Sequence, residues 1–275
     1  MNTPINTPMK KRTFLKLAAI SGVGASLPVW PQESPERWVR RLNWSGVQFR
    51  NGSTDVFIDP IFTDIWGGSN RYPLVDIDRS ASRKYVLLTH THGDHFDVTG
   101  LKSVLGEKDW IICAANQATN IASRGFQVLP VEPYQPITRR GFTMIPVPAS
   151  DGLGDEQVSW VVLFNGQRYL HCGDTIWHGK WRSYGAVYGP FDVVFMPVNG
   201  AIQADEPASE IPLSLTPKEA VDAAILLGAK QLVPTHYGFH VPGSYEEVNE
   251  PLIQLKTLAD SRQVVVNWLK PGERL

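Results

Sequence analysis

Tyr85-Val86-Leu87-Leu88-Thr89-His90-Thr91-His92-Gly93-Asp94-His95-Phe96-Asp97 is the stretch on which the reading of this chain turns. Its apolar start, Tyr85 to Leu88, has the length and composition of a buried strand. The run stops abruptly in a segment holding three histidines and two aspartates. His90 and His92 are two apart, so on extended backbone their side chains leave on the same side. Gly93 permits a sharp turn, which lets Asp94 and His95 face back toward the same point. One histidine at a strand end is ordinarily a polar loop residue. Three within six positions, interleaved with an aspartate, point to a bound cation, because buried charges need a partner. Imidazole and carboxylate without thiolate suit zinc, iron or manganese in a catalytic site better than a structural zinc site.

The pattern H-x-H-x-D-H after a buried strand resembles the metal-binding motif of the metallo-β-lactamase superfamily. Phe96-Asp97 after it, and Ile58-Asp59-Pro60 before it, are similar to the branch of ascorbate-phosphate lactonases and N-acylphosphatidylethanolamine phospholipase D-like enzymes. The resemblance implies an α/β fold, the four-layer αββα sandwich, over residues 36–275. It also implies a dinuclear centre. Gly173-Asp174-Thr175 resembles the G-D-T motif that carries a bridging aspartate, and His236, closing the apolar Leu232-Val233, resembles the last metal histidine. The usual middle histidine of an H-x-x-G turn is missing, since no histidine occurs between Phe96 and Leu170. Asp151-Gly152-Leu153-Gly154 stands in its place, so Asp151 is the expected substitute and Asp155 the alternative.

On this resemblance His90, His92 and Asp151 hold one divalent ion, Asp94, His95 and His236 the other, and Asp174 bridges. Zinc is the first choice. The extra carboxylate hardens the site and brings manganese or iron into consideration. The implied activity is hydrolysis of a phosphodiester or a lactone/ester by water activated at the metals, with Asp94 or Asp174 passing the proton to the leaving group. Two alternatives share the fold: an iron-binding redox protein of dioxygenase or flavodiiron kind, and a non-catalytic binding protein. No G-x-S-x-G elbow, P-loop or dinucleotide fingerprint competes.

The composition, 43% hydrophobic and 19% charged over 275 residues, is ample for a packed core. A formal net charge of −1 argues against nucleic-acid binding through a basic surface; the resemblance implies a small-molecule substrate or a lipid. Cys113 and Cys172 lie inside apolar runs and read as buried small hydrophobes rather than a disulfide framework. Lys10-Lys11-Arg12-Thr13-Phe14-Leu15-Lys16, followed by a short run of small apolar residues, reads as an export signal. It is similar to a twin-arginine signal with Lys11 in place of the first arginine. Residues 1–35 are therefore expected to be signal and linker, and the protein periplasmic or exported, with a cytoplasmic location as the alternative. No apolar run is long enough to span a bilayer.

Asn51-Gly52 between apolar runs predicts a hairpin, as does Asn165-Gly166. Helices are expected over 98–105, 116–124 (with Asn116 as N-cap), 216–227 (behind the capping box Thr216-Pro217-Lys218-Glu219 and closed by Gly228) and 245–259, with a last strand over 264–268. The long segment 61–83 reads as a flap over the site carrying Trp66. Trp177, His178 and Trp181, on the loop after Asp174, are expected to wall the substrate, with His240 as another substrate-binding candidate. His171 reads as structural. Asp97 is a candidate to orient a ligating histidine from behind. Arg71, Arg139, Arg140 and Arg182 are the candidates for a phosphate.

Overall fold

The computed structural model describes residues 35–66, 74–203 and 211–275. The proposed export signal lies outside the described residues, as does Arg71. Strands β1 (Arg37–Arg41), β2 (Val47–Asn51) and β3 (Thr54–Ile58) form an antiparallel meander. The β2–β3 turn is the one that Asn51-Gly52 predicts: Gly52 adopts φ +58° and Asn51 pairs with Thr54. β3 then runs parallel to β4 (Arg83–Leu87), β4 to β5 (Trp110–Ala114) and β5 to β6 (Val128–Val131), giving one six-stranded sheet. Helices α1 (Val98–Val104) and α2 (Ala118–Ser123) cross between these parallel strands.

The second six-stranded sheet holds β7 (Ile137–Arg139), β8 (Phe142–Ser150), β9 (Glu156–Phe164), β10 (Gln167–His171), β11 (Val193–Pro197) and β13 (Leu232–Thr235), in the order β13-β11-β10-β9-β8-β7. Asn165 (φ 51°) and Gly166 (φ 75°) make the two-residue turn between β9 and β10. Both are left-handed, as the twist of a tight hairpin requires. Helices α3 (Trp181–Tyr188), α4 (Pro217–Leu227) and α5 (Pro251–Arg262) pack on this sheet. A short ribbon pairs β12 (Ile202–Gln203) with β14 (Tyr245–Glu246).

Three buried clusters show why the strands read as nearly continuous apolar runs. Phe49, Val56, Ile58 and Leu87 of the first sheet meet Phe142, Trp160, Val162 and Phe195 of the second. The alternate residues Phe57, Val86 and Leu88 face Leu101 and Ile121 of the α1–α2 layer. Val147, Val161 and Val194 face Trp181, Val221 and Leu255 of the other helix layer. Both faces of each sheet are therefore covered, and the layer order is αββα as expected. Cys113 and Cys172 are free and buried in different outer clusters.

Three local expectations fail. Asn116 does not cap α2: a 3-10 turn, Ala115–Gln117, precedes it and the helix starts at Ala118. Helix α5 starts at Pro251 rather than at 245, because Tyr245 and Glu246 are drawn into the ribbon and proline is tolerated in a first turn but not within a helix. Residues 264–268 contribute one bridge, Val266 to Leu232, rather than a strand. The capping box at Thr216 and the left-handed cap at Gly228 form as predicted. No helix among the described residues is long and apolar enough to cross a membrane.

Trp160 is fully buried between the sheets, and its Nε1 donates to the Leu88 carbonyl at 3.0 Å, just before the histidine-rich segment. Trp160→Phe keeps most of the ring but leaves that carbonyl without its donor. We expect a loss of about 1–3 kcal/mol in urea unfolding, and about 3–5 kcal/mol for Trp160→Ala.

Candidate metal centre

The acidic and imidazole side chains converge because each follows a strand that ends at the same edge. Asp59 follows β3, Thr89 and His90 follow β4, Asp151 follows β8, Asp174 follows β10 and His236 follows β13. Two of the approaches need glycine. Gly173 has φ +70°, and a Cβ there would come within 3.0 Å of Thr89 and Gln157. A Cβ on Gly152 would lie 2.4 Å from the Pro212 carbonyl oxygen, so residue 152 must be glycine for Asp151 to sit where it does.

Two groups result. Asp94, His95, Asp174 and His236 each offer one ligand atom within 4.8 Å of the others, and so do His90, His92 and Asp151. His236 Nε2 lies 3.2 Å from Asp94 Oδ2 and 3.4 Å from Asp174 Oδ2. His95 Nε2 is 3.6 Å from Asp94 Oδ2, and His92 Nδ1 is 3.5 Å from Asp151 Oδ2. The His90 ring lies 4.2 Å from that of His95, joining the groups.

Three of the four imidazoles are anchored by an oxygen behind them, which fixes the orientation of their rings. Asp59 Oδ2 accepts from His95 Nδ1 at 2.8 Å. Thr89 Oγ1 gives its own proton to Asp59 Oδ2 at 2.6 Å, so it accepts from His90 Nδ1 at 3.0 Å. Asp155 Oδ2 accepts from His92 Nε2 at 2.8 Å. In each case the other ring nitrogen faces inward, the orientation of a ligating histidine. His90 Nε2, His95 Nε2, Asp151 Oδ2 and Asp174 Oδ1 are buried and have no hydrogen-bond partner. Buried polar atoms left unpaired are costly, and four of them converging on two points fit a cation at each.

The electrostatics carry the same signature. Burial pushes the Asp174 carboxyl up. Burial also works against the charge on Asp94, but His95 and His236 outweigh it and hold that carboxyl well below the usual range. Burial would lower His95, yet Asp94 and Asp59 outweigh it and raise the imidazole to about 9. His90 is pushed well below 6.5 by burial and by His95. A proton on His95 therefore offsets part of the carboxylate charge when no cation does.

A cavity of about 340 Å³ opens over the two groups. Asp94, Asp151 and Asp174 line it, and Trp44, Trp66, Phe239 and Tyr245 form its aromatic wall. Trp66 lines this cavity. The other substrate-wall expectations need correction. Trp181 is fully buried in the helix layer, His178 stacks on it at 4.1 Å, and neither lines this cavity. After Asp174 the Ile176 amide bonds to the Ser150 carbonyl, and the chain then leads into α3, away from the mouth. Trp177 and His240 are exposed and also lie outside the lining. Asp97 touches no histidine: it caps α1 through the Gly100 amide and holds the Phe62 and Thr63 amides at 2.8 Å. His171 is structural, its Nε2 donating to the Ser45 carbonyl at 2.6 Å.

The β1–β2 turn is a part of the site that sequence reasoning missed, as are Phe239 and Tyr245. Trp44 (φ 55°) donates from Nε1 to Asp94 Oδ2 at 3.0 Å and lies over the His236 ring at 4.2 Å. Its one sequence signal is a tryptophan in a turn, Asn43-Trp44-Ser45-Gly46, where a polar residue is usual.

A family model described as Beta-lactamase superfamily domain matches residues 54–237. A UPF0173 metal-dependent hydrolase of Thermococcus kodakarensis is 28% identical over 232 residues, covering 82% of this chain and 92% of that protein. Among solved structures, isothiocyanate hydrolase from Delia radicum gut bacteria superposes with a TM-score of 0.67 at 15% identity, over 86% of this chain and 97% of that one. CmlA, a diiron β-hydroxylase from Streptomyces venezuelae, gives 0.67 at 16% identity over 88% of this chain and 54% of its own. At such identities the two structures establish likeness of fold alone.

Because His95 holds a proton up to about pH 9 in the metal-free protein, a cation taken up there must displace it. The sign follows: affinity for a divalent ion rises as the pH is raised toward about 9 and levels off above it, where His95 has already lost the proton. Calorimetric titration of the metal-free protein at pH 7.5, in buffers of different ionisation enthalpy, should show proton release. A heat independent of the buffer would contradict it.

Proposed function

The chain belongs to the metallo-β-lactamase superfamily, and from that membership and the geometry of the two ligand groups we propose that it is a metal-dependent hydrolase. Residues 36–275 are its hydrolase domain. His90, His92 and Asp151 would hold one divalent ion, Asp94, His95 and His236 would hold a second, and Asp174 would be shared between them. Zinc is the first choice, with manganese or iron as alternatives. One observation carries this reading: four buried ligand atoms without partners converge, while the far nitrogens of His90, His92 and His95 are each anchored.

The ions, when bound, supply Lewis acidity toward a carbonyl or phosphoryl oxygen and make water acidic enough to react near neutral pH. The protein's own groups do the rest. Trp44 fixes the Asp94 carboxylate from the wall side. Asp94 and Asp174, both at the cavity floor, are the groups that carry a proton from the attacking water to the leaving group. The bond cleaved is a phosphodiester or a lactone/ester, as the branch motifs imply. The basic segment Lys10 to Lys16 supports export through a twin-arginine-like signal.

Asp151 and Asp155 take different roles. Asp151 is 2% exposed. Its Oδ1 accepts from the Leu153 and Asp155 amides at 2.9 and 3.1 Å, which leaves Oδ2 for the site. Asp155 has a side chain 61% exposed and holds His92 from behind. Asp151 is the ligand and Asp155 the positioning residue.

Metal analysis of the purified protein tests this. Wild type should carry up to two equivalents, and Asp151→Ala should lose about one. Asp155→Ala should keep the stoichiometry while affinity drops about 10–100-fold. Hydrolysis of bis-p-nitrophenyl phosphate or of lactones should stop on chelation and return with added zinc. A wild type that binds no divalent metal, or a rate untouched by chelation, refutes the reading. Iron content together with oxygen consumption would favour a redox protein on this fold instead.

A further inference from the structure

The cavity over the ligand groups has one chemically distinct side. Trp44 and Trp66 meet edge to face at 5.5 Å, Trp66 and Phe239 lie 5.7 Å apart, and Phe239 and Tyr245 lie 5.6 Å apart. The four rings form one continuous surface leading from Asp94 outward. Leu153 and Leu213 extend the apolar lining.

This wall is held in place by polar bonds behind it. Asn199 Nδ2 donates to the Tyr245 hydroxyl at 2.8 Å, and Ser214 Oγ donates to Asn199 Oδ1 at 2.5 Å, with Asn199 and Ser214 both buried. Glu247 Oε1 accepts from the Gly238 and Phe239 amides at 2.8 and 3.2 Å, which ties the loop carrying Phe239 to the strand pair carrying Tyr245. Aromatic rings fixed in this way bind a flat apolar group without first having to be ordered.

The charge at the floor is the second observation. Among the described residues the lining carries three carboxylates, Asp94, Asp151 and Asp174, and no lysine or arginine. Arg139, Arg140 and Arg182, the phosphate candidates within the described residues, lie outside it. Two divalent cations (+4) against three carboxylates (−3) leave a single net positive charge, one fewer than a histidine at position 151 would leave. A phosphodiester carries its charge before reaction and meets three carboxylates with no lysine or arginine among the described lining residues to offset them; a carboxylic ester is neutral until its oxyanion forms, and bound ions would supply the charge that this oxyanion needs.

We propose that this site selects uncharged carboxylic esters or lactones bearing an aromatic group, with the ring seated against Trp66 and Phe239 and the carbonyl over the Asp94–Asp174 floor. The assignment rests on the hydrolase reading above and decides between its two bond types.

The test separates recognition from catalysis. The zinc-loaded full chain is titrated calorimetrically with phenylacetamide (neutral, aromatic), acetamide (neutral, no ring) and diphenyl phosphate (anionic, aromatic). Phenylacetamide should bind at least about tenfold more tightly than either of the others. Trp66→Ala and Phe239→Ala should each weaken it about tenfold with metal content unchanged, and Phe239→Tyr should restore it. Dihydrocoumarin should be turned over with a larger acceleration above its spontaneous rate than bis-p-nitrophenyl phosphate. Tighter binding of diphenyl phosphate, or phenylacetamide binding indifferent to both alanine variants, overturns the proposal even if the enzyme hydrolyses phosphodiesters. Ring-dependent binding of phenylacetamide without hydrolysis of any ester upholds the aromatic subsite and sinks the hydrolase reading instead.

Discussion

The crowding of Asp94, Asp151 and Asp174 at one edge of two packed sheets is the constraint that the rest of the site answers. Asp94 and Asp151 both disfavour ionisation of Asp174, which burial already opposes. Like charges in a low-dielectric setting repel far more strongly than in water. Imidazoles interleave with the carboxylates, and His95 retains its proton to about pH 9. Each remaining structural feature keeps that arrangement from relaxing. Asp59 and Thr89 fix His95 and His90 from behind, Trp44 holds Asp94 from the front, and the core between the sheets fixes the strand ends themselves. A site of this kind spends folding stability on geometry, which is the usual relation between function and local strain in charge.

What the sequence made legible follows the range of the interactions involved. The segment from Tyr85 to Asp97 carries its meaning within a few residues: the period of a strand, the flexibility of a glycine and the chemistry of imidazole. Asp174 and His236 were readable because each terminates an apolar run and matches a motif of the superfamily that the chain resembles. Those signals are local, and the parallel strands then bring the ends together. Trp44 was not readable, because its contact with Asp94 spans fifty positions and a hairpin turn tells nothing of what lies opposite its tip. Phe239 and Tyr245 were hidden for the same reason, and Tyr245 was misplaced in a helix because its pairing with Gln203 is non-local. Trp177, His178 and Trp181 drew attention through composition alone. A cluster of aromatics after a ligand is equally compatible with a helix packed on a sheet, which is what Trp181 does. Asp97 has the right neighbours in sequence but is one turn too late: it faces its own helix and the start of the 61–83 segment.

The carboxylate at position 151 is built into its loop rather than left over from a lost histidine. A carboxylate has two oxygens, and here one serves each side. Oδ1 takes the amides of Leu153 and Asp155, closing the turn, and Oδ2 is left facing His92. An imidazole could not accept two backbone amides and still present a lone pair to the site, since only one ring nitrogen is an acceptor in the neutral form. Gly152 is pressed against the backbone at 212–213, and its amide donates to the Leu213 carbonyl. The carboxylate thus closes the turn whose glycine packs on the 211–215 segment. Leu213 lines the same cavity. One residue thus closes the turn beside the apolar lining, and as the proposed ligand it would lower the positive charge that the centre offers.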